Sequence, residues 1–372
     1  MINMLPKAVY VHIPFCKTKC AYCGFYSRPP SQYDTQKVLN AEIEELKKSP
    51  FDKPIQTLYI GGGSPACLGT DILCGFLSQI LELIGKPDEF TVEINPADAD
   101  EKLLKKLFEL GVNRISIGVQ SFNDEELVFL GRRYIAQHTQ KTIETAKIVG
   151  FKNIVIDLIF AIPNSNLNSW RQTLTKAVEN DVQHISAYSL TYEKNTPLHK
   201  IKSAGKLEII SEEADRQMYE MTIQTLGDAG FEHYEISNFA KPGFECRHNL
   251  TYWKNDFYLG VGPAACSYIE GRRIENINDI EKYIAQKKTV ITKTSPLDAA
   301  SQTAVLGLRL IKGINLTEYK QKTGFDIFEL FKSSLDKNLK SNLLRLKNDC
   351  LSLTKTALPI ADSVLCDFSN PD

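Results

Sequence analysis

Six short runs rich in Val and Ile, separated by amphipathic stretches, occupy the first half of the chain and restrict its fold more than any other feature. The runs cover residues 9–13, 57–60, 90–94, 114–119, 154–160 and 184–190. Short apolar runs of this kind suit strands buried on both faces. Between them the apolar positions recur at helical spacing. Val38, Leu39, Ile43 and Leu46 form one such stripe, Leu103, Leu104, Leu107 and Phe108 a second that stops at Gly111, and Ile143, Ala146 and Val149 a third that stops at Gly150. Asn123 with Glu126, and Ser169 with Gln172, have the spacing of capped helix starts.

Six βα units in succession imply a parallel sheet with right-handed crossovers. The expected fold is therefore α/β, a partial (βα)6 barrel of the TIM type, with an open doubly wound sheet as the alternative. The barrel is favoured because the chemically notable residues fall at the C-terminal ends of successive runs. Beyond residue 200 the rhythm stops. The expectation is a core over 1–240, an ordered Gly-, Pro- and aromatic-rich connection over 241–299, and a small α+β unit over 300–372. In that last unit, helices over 304–311, 316–324 and 327–340 precede a hairpin turning at Asn348 and Asp349, and a final helix starts near 354. Helices followed by a hairpin predict a winged-helix-like module, with few clustered Lys or Arg near the hairpin and so a scaffold or lid role.

Directly after the first run stand Cys16, Cys20 and Cys23, spaced C-x3-C-x2-C. Each iron of a [4Fe–4S] cube wants a soft thiolate to complete a tetrahedral site. Three cysteines on one loop can hold three irons and leave the fourth open to a ligand that is not protein; half of a zinc site has a similar look. Directly after the second run come Gly61, Gly62, Gly63, Ser64 and Pro65. Consecutive glycines let backbone approach a ligand without side chains in the way, or simply make a tight turn.

Composition limits the rest. A formal net charge of −1 gives no global field for nucleic acid or an anionic membrane, and no Arg-rich tail is present, so no nucleic-acid partner is expected. The first residues lack the long apolar core of a signal peptide, and no apolar run is long enough to span a bilayer. Nine cysteines then read as reduced cytosolic thiols, with Cys67, Cys74, Cys266, Cys350 and Cys366 as small buried hydrophobes.

The cysteine triplet with the glycine loop one unit later resembles the radical S-adenosylmethionine (SAM) superfamily. That resemblance implies a [4Fe–4S] cluster whose open iron is chelated by the methionine amine and carboxylate of SAM, and which when reduced splits SAM into methionine and a 5′-deoxyadenosyl radical. The run from His12 to Cys16, the run from Gly118 to Phe122 and the run from Asp157 to Pro163 narrow the likeness to the oxygen-independent coproporphyrinogen III oxidase group. Carried over by position, Cys16, Cys20 and Cys23 hold the cluster. Tyr10 and Tyr22 flank cluster and SAM, while Gly62, Gly63 and Ser64 hold the SAM amino end. Glu93 accepts from a ribose hydroxyl, Gln120 and Arg132 contact SAM, with Arg132 at its carboxylate, and Asp157 and Thr191 complete the set. Each role suits its side chain: carboxylates accept from sugar hydroxyls, and a guanidinium grips a carboxylate at two points.

Within that group the chain departs from the oxidase pattern. The oxidase carries a further cysteine two positions after the third, where this chain has Phe25, and a long extension before its cluster motif, where 15 residues precede Cys16. Both point to the group's other type, the heme chaperones called HemW. The stretch of His248, Asn249, Tyr252 and Trp253 resembles that type's H-N-x-x-Y-W motif. An imidazole can ligate heme iron, and Tyr252 and Trp253 offer flat apolar area to a macrocycle. The alternative is domain packing, with His248 hydrogen-bonded to backbone and Trp253 filling the seam of the barrel. The resemblance implies heme as cargo, an electron donor such as a flavodoxin or ferredoxin, a heme-accepting respiratory protein at the membrane, a homodimer, and a cytoplasmic place peripheral to the membrane. Decarboxylation of coproporphyrinogen III is the competing activity.

Overall fold

The computed structural model describes residues 5–286 and 289–371. Nine strands make one sheet: β1 (Ala8–Ile13), β2 (Thr57–Gly62), β3 (Glu89–Ile94), β4 (Arg114–Gln120), β5 (Ile154–Phe160), β6 (His184–Ser189), β7 (Glu232–Glu235), β8 (Asn238–Ala240) and β9 (Leu259–Val261). Their order is β7-β8-β6-β5-β4-β3-β2-β1-β9. Strands β1 to β6 stand in chain order and pair in parallel. Right-handed crossovers that always step the same way put every connecting helix on one side of the sheet. A doubly wound sheet needs a reversal of order, and none occurs here. The winding is that of a barrel, left open because its terminal strands are β7 and β9.

The two faces of the sheet differ chemically. Register places Tyr10 beside Tyr59, Tyr59 beside Thr91, and Thr91 beside Arg114. It also sets Glu93 beside Ser116 and Asp157 beside Ser186. Side chains alternate along a strand, so these share the inner face. The intervening Val9, Val11, Leu58, Ile60, Val92, Ile115, Ile117, Ile156, Leu158 and Ile185 are fully buried against the helices. Burying each such side chain contributes roughly 1.5–3 kcal/mol. Strands apolar on both faces are thus not what forms: the helix side is apolar, and the inner side is largely polar and aromatic.

The helical stripes form as spaced except at Phe108, which is exposed and packs edge-on to Phe151 while Leu103, Leu104 and Leu107 are buried. Helix Thr35–Lys48 starts at the Asp34 cap and buries Val38, Leu39, Ile43 and Leu46. Helix Ala136–Val149 ends at left-handed Gly150. The sheet also recruits residues from further along. β8 pairs antiparallel with β6, and β9 pairs parallel with β1. Between them lies the short helix Arg247–Trp253, and after them a three-stranded antiparallel sheet of Cys266–Ile269, Arg272–Glu275 and Val290–Lys293.

The C-terminal unit is α+β, its hairpin Leu344–Lys347 with Cys350–Leu353 turning through Asn348 and Asp349 at positive φ, as the spacing predicts. Ile314–Asn315 adds a third antiparallel strand. Its first helix differs from expectation. It covers Pro296–Gly307, not 304–311, because Ser295 caps it by accepting from the Asp298 amide at 3.1 Å, with Pro296 in the first turn. Residues 308–311 instead run beside β7, where the Ile236 amide donates to the Arg309 carbonyl at 3.2 Å and the Ile311 amide to the Tyr234 carbonyl at 3.1 Å. The last helix is Ala361–Cys366, after a 3-10 turn over Leu358–Ile360. Pro359 in that turn removes a backbone donor that a helix starting near 354 would use.

Candidate cofactor site

The cysteines stand on a loop that the sheet closes at its base. The Cys16 amide donates to the Arg28 carbonyl at 3.1 Å and the Arg28 amide to the Pro14 carbonyl at 2.9 Å. Two further contacts pin the tip: the Ala21 amide donates to the Leu130 carbonyl at 3.1 Å, and the Leu198 amide to the Ala21 carbonyl at 2.9 Å. The glycine loop holds the same segment from below. The Gly63 amide donates to the Ile13 carbonyl at 2.9 Å and the Ser64 amide to the Phe15 carbonyl at 2.6 Å. Approach is so close that a Cβ on Gly63 would collide with the Phe15 carbonyl oxygen, and one on Gly62, whose φ is 105°, would sit 2.7 Å from the His12 ring.

All three thiols are half-buried, free, and line one cavity of about 1540 Å³. Burial, then the neighbouring Cys23, pushes the Cys16 thiol up to about 11, and burial likewise raises Cys23. Among the described residues no three His, Cys, Asp or Glu side chains converge as a single metal ion requires. Three free thiols on one loop, lining the same cavity, are a donor set that suits three corners of an iron–sulfur cube.

The cavity gathers most of the expected SAM residues. Tyr22, Gly62, Gly63, Ser64, Glu93, Gln120, Arg132, Asp157 and Thr191 all line it with the cysteines. Glu93 accepts from the Tyr59 hydroxyl at 2.9 Å and from the Gly62 amide at 3.2 Å. Burial and the nearby Asp157 raise its carboxyl to about 7. Asp157 accepts from the Ser116 hydroxyl at 3.0 Å, and burial raises it too. The Ser64 hydroxyl donates to Asp98 at 3.2 Å, and Asp98 also meets the Lys17 ammonium at 2.7 Å. Gln120 adopts a φ of 67°, just past the register break between β4 and β5. Arg132 donates to the Tyr22 hydroxyl at 2.7 Å, while its buried Nε has no partner among the described residues. That unpartnered donor, with two half-buried carboxylates lining the same cavity, suits a ligand carrying both a carboxylate and hydroxyls.

Four expected residues lie elsewhere. Tyr10 points inward below the cavity, its hydroxyl 2.9 Å from His12 Nδ1 and its ring 6.1 Å from that of Tyr59. His248 is 1% exposed, and both its ring nitrogens are engaged, with the Thr57 hydroxyl at 2.8 Å and the Tyr252 hydroxyl at 2.8 Å. Burial, with Arg114 nearby, lowers its pKa to about 3, so the ring is neutral. Tyr252 packs edge-on to both His248 and Tyr258. Trp253 lies under the Arg309 guanidinium at 4.5 Å. In this geometry His248 offers no free nitrogen to a metal; it is packed inside as the alternative expects, but its partners are side-chain hydroxyls and not backbone. The helix that carries these residues is tied to the bottom of the sheet: buried Glu89 accepts from the Arg247 amide at 3.0 Å and the His248 amide at 3.0 Å.

Several cavity residues carried no sequence signal. Tyr59, Arg114, Ser116, Ser186 and Tyr188 line it because they alternate with the Val and Ile positions that mark the strands. A period-two count of polar residues within those runs finds them. Asn249, beside His248, also reaches the cavity, and so do Arg309 and the segment 358–363.

Comparison with known proteins agrees with the geometry. The family model described as Radical SAM superfamily matches residues 10–177, and that of the HemN C-terminal domain matches residues 294–360. The heme chaperone HemW of Lactococcus lactis is 32% identical, with 98% of this chain and 97% of that protein covered. The heme chaperone HemW of Bacillus subtilis is 33% identical over 97% of this chain and 99% of that protein. Among solved structures, coproporphyrinogen III oxidase (HemN) from Escherichia coli superposes with a TM-score of 0.83 at 20% identity, covering 99% of this chain and 91% of that one, which speaks to the fold alone.

Proposed function

This chain belongs to the HemW family of radical SAM proteins, and from that premise we propose that it is a heme carrier, one that binds heme and hands it to an acceptor protein. The observation that carries the reading is the full-length likeness to heme chaperones. Phe25 supports it: the residue standing where the oxidase pattern has a cysteine is 68% exposed at the rim of the cavity and offers no thiol to the chemistry inside.

In this reading Cys16, Cys20 and Cys23 hold a [4Fe–4S] cluster. Arg132 takes the SAM carboxylate, and Gly62, Gly63 and Ser64 shape the pocket for its amino end. Glu93 accepts from the ribose, and Gln120, Asp157, Tyr22 and Thr191 complete the walls. Cluster and SAM, when bound, supply one-electron chemistry, and the protein's part is to bind, orient and exclude water. Tyr59 and Gly62 hold the Glu93 carboxylate in place by donating to it, and the Ser116 hydroxyl does the same for Asp157. The inner face of the sheet therefore presents fixed acceptors toward the ligand before it arrives.

The electron donor is a small redox protein such as a flavodoxin or ferredoxin, and the acceptor is a respiratory apoprotein at the membrane, which the carrier meets from the cytoplasm, alone or as a homodimer. No helix among the described residues is long and apolar enough to cross a membrane.

The test is a pair of assays on anaerobically reconstituted protein. Heme titration is expected to give a new Soret band and heme retained through desalting. Incubation with coproporphyrinogen III, SAM and a reductant is expected to give no protoporphyrinogen IX. Turnover to protoporphyrinogen IX would replace the carrier reading with the decarboxylase.

A further inference from the structure

The cavity is lined by many residues besides those assigned to cluster and SAM, and among its cations Arg309 has little to hold it. Arg309 lies there because its helix stops at Gly307 and residues 308–311 run along β7, with a bridge between Glu235 and Leu310. Its guanidinium rests on the Trp253 ring at 4.5 Å. Its one ion pair is a loose 3.7 Å contact with the fully buried Glu235. Among the described residues its side chain has no hydrogen-bond partner, and the buried Nε is orphaned. A guanidinium carries five donors in a rigid fork, and one left this bare in a partly buried site costs stability until an anion meets it.

The neighbouring walls indicate what kind of anion. Tyr188 lines the same region and is 41% exposed, and Ile360 is 48% exposed. Both offer apolar area inside a cavity rather than to a core. Glu212, Asp215 and Asp362 also line the cavity. Their carboxyls would repel a second carboxylate, and Arg216, which lines the cavity beside them, is already paired with Glu213 at 2.7 Å and Glu220 at 2.6 Å, so Arg309 is the more favourable place for it.

The geometry points to Arg309 as the recognition residue for a carboxylate of a bulky, largely apolar cargo, in the present case a propionate of heme, with Trp253 as the residue that positions it. Trp253 of the H-N-x-x-Y-W stretch thereby acts on the cargo through Arg309 rather than by stacking on it. The proposal rests on the heme-carrier reading.

The test compares hemin with its dimethyl ester, which keeps the macrocycle and iron but removes both propionate charges. Binding is followed by Soret titration of the reconstituted, SAM-bound protein. Wild type is expected to bind hemin at least tenfold more tightly than the ester, and Arg309→Gln to bind both alike at the weaker level. Arg309→Lys, which keeps charge but not the two-point fork, should fall between. Because Arg309→Gln leaves Glu235 buried and unpaired, the Arg309→Gln/Glu235→Gln double variant is included and should likewise lose the preference, while Glu235→Gln alone keeps it. A preference for hemin that persists in the double variant overturns the subsite and leaves the carrier reading standing. Wild type that takes up neither hemin nor ester removes the carrier reading and the subsite with it.

Discussion

Arg132 donates a 2.7 Å hydrogen bond to the Tyr22 hydroxyl, tying the loop after β4 to the cysteine loop 110 residues earlier in the chain. The contact joins the group proposed to take the SAM carboxylate to the segment proposed to hold the cluster. Replacing Arg132 with Ala should therefore weaken both together. A charged hydrogen bond is worth about 1.5–3 kcal/mol, so SAM affinity in equilibrium dialysis should fall roughly 10- to 100-fold. Iron per chain should fall in the same samples. Normal SAM affinity in this variant would remove Arg132 from the site.

Glu93 gives the site a pH dependence whose sign follows from its environment. Burial and Asp157 raise its carboxyl to about 7, above an unfolded value near 4.3. Below about pH 4 the carboxyl is protonated in both states and contributes nothing. Above pH 4 the unfolded chain ionises first, so the penalty for folding grows and is complete above about pH 7. In protein without SAM, Glu93→Gln should gain stability over wild type at pH 8, by at most about 3–4 kcal/mol, with the two converging near pH 4. Urea midpoints across that range measure it. SAM affinity of wild type should rise through pH 7 as the acceptor ionises, and that rise should be absent in Glu93→Gln.

His248 should matter for stability and not for heme. It holds two buried hydrogen bonds, and its removal strands the Thr57 and Tyr252 hydroxyls. Each stranded group costs about 1–3 kcal/mol. His248→Ala should lower the urea midpoint clearly while heme affinity by Soret titration stays within about twofold. Loss of the Soret band in a variant that remains folded by circular dichroism would restore His248 as an iron ligand.

Gly63 has no room for a side chain, since a Cβ would meet the Phe15 carbonyl beside Cys16. Gly63→Ala should push that strand end away and reduce iron incorporation several-fold, with little change in far-ultraviolet circular dichroism. The absorbance near 400 nm of reconstituted protein is the readout. Iron content equal to wild type would show that the loop tolerates the shift.

The strands and the cysteine and glycine loops were legible because each is local: a run of Val and Ile, three thiols at close spacing, three glycines at a strand end. The inner face was harder to read. Tyr59, Arg114, Ser116 and Tyr188 lie inside runs whose Val and Ile dominate a simple count, and only the register shows that they share one side. β9 is three residues long and pairs with a strand some 250 residues earlier, a contact that no local period announces. The motif around His248 has aromatic and imidazole chemistry suited to heme, but whether such groups face a cavity or a core depends on the helix that carries them. Here Glu89 anchors that helix at the bottom of the sheet, and Asn249 reaches the cavity instead.

The division of the sheet into a polar inner and an apolar outer face has a consequence for natural variation in this chain. In β1, β4 and β6 the even-numbered positions look inward, and in β2, β3 and β5 the odd-numbered ones do. Neighbouring residues on one strand thus answer to different selective pressures. A change at Ile115 or Ile156 should reduce how much folded protein a cell accumulates. A change one position away, at Ser116 or Asp157, should leave the amount intact and alter what the protein can hold. Among the strand positions beside the cavity, parity therefore sorts variants into those that lower abundance and those that change ligand preference, before any assay is run; inner positions away from it, such as Thr57 and Glu89, hold the helix of His248 and answer to stability instead.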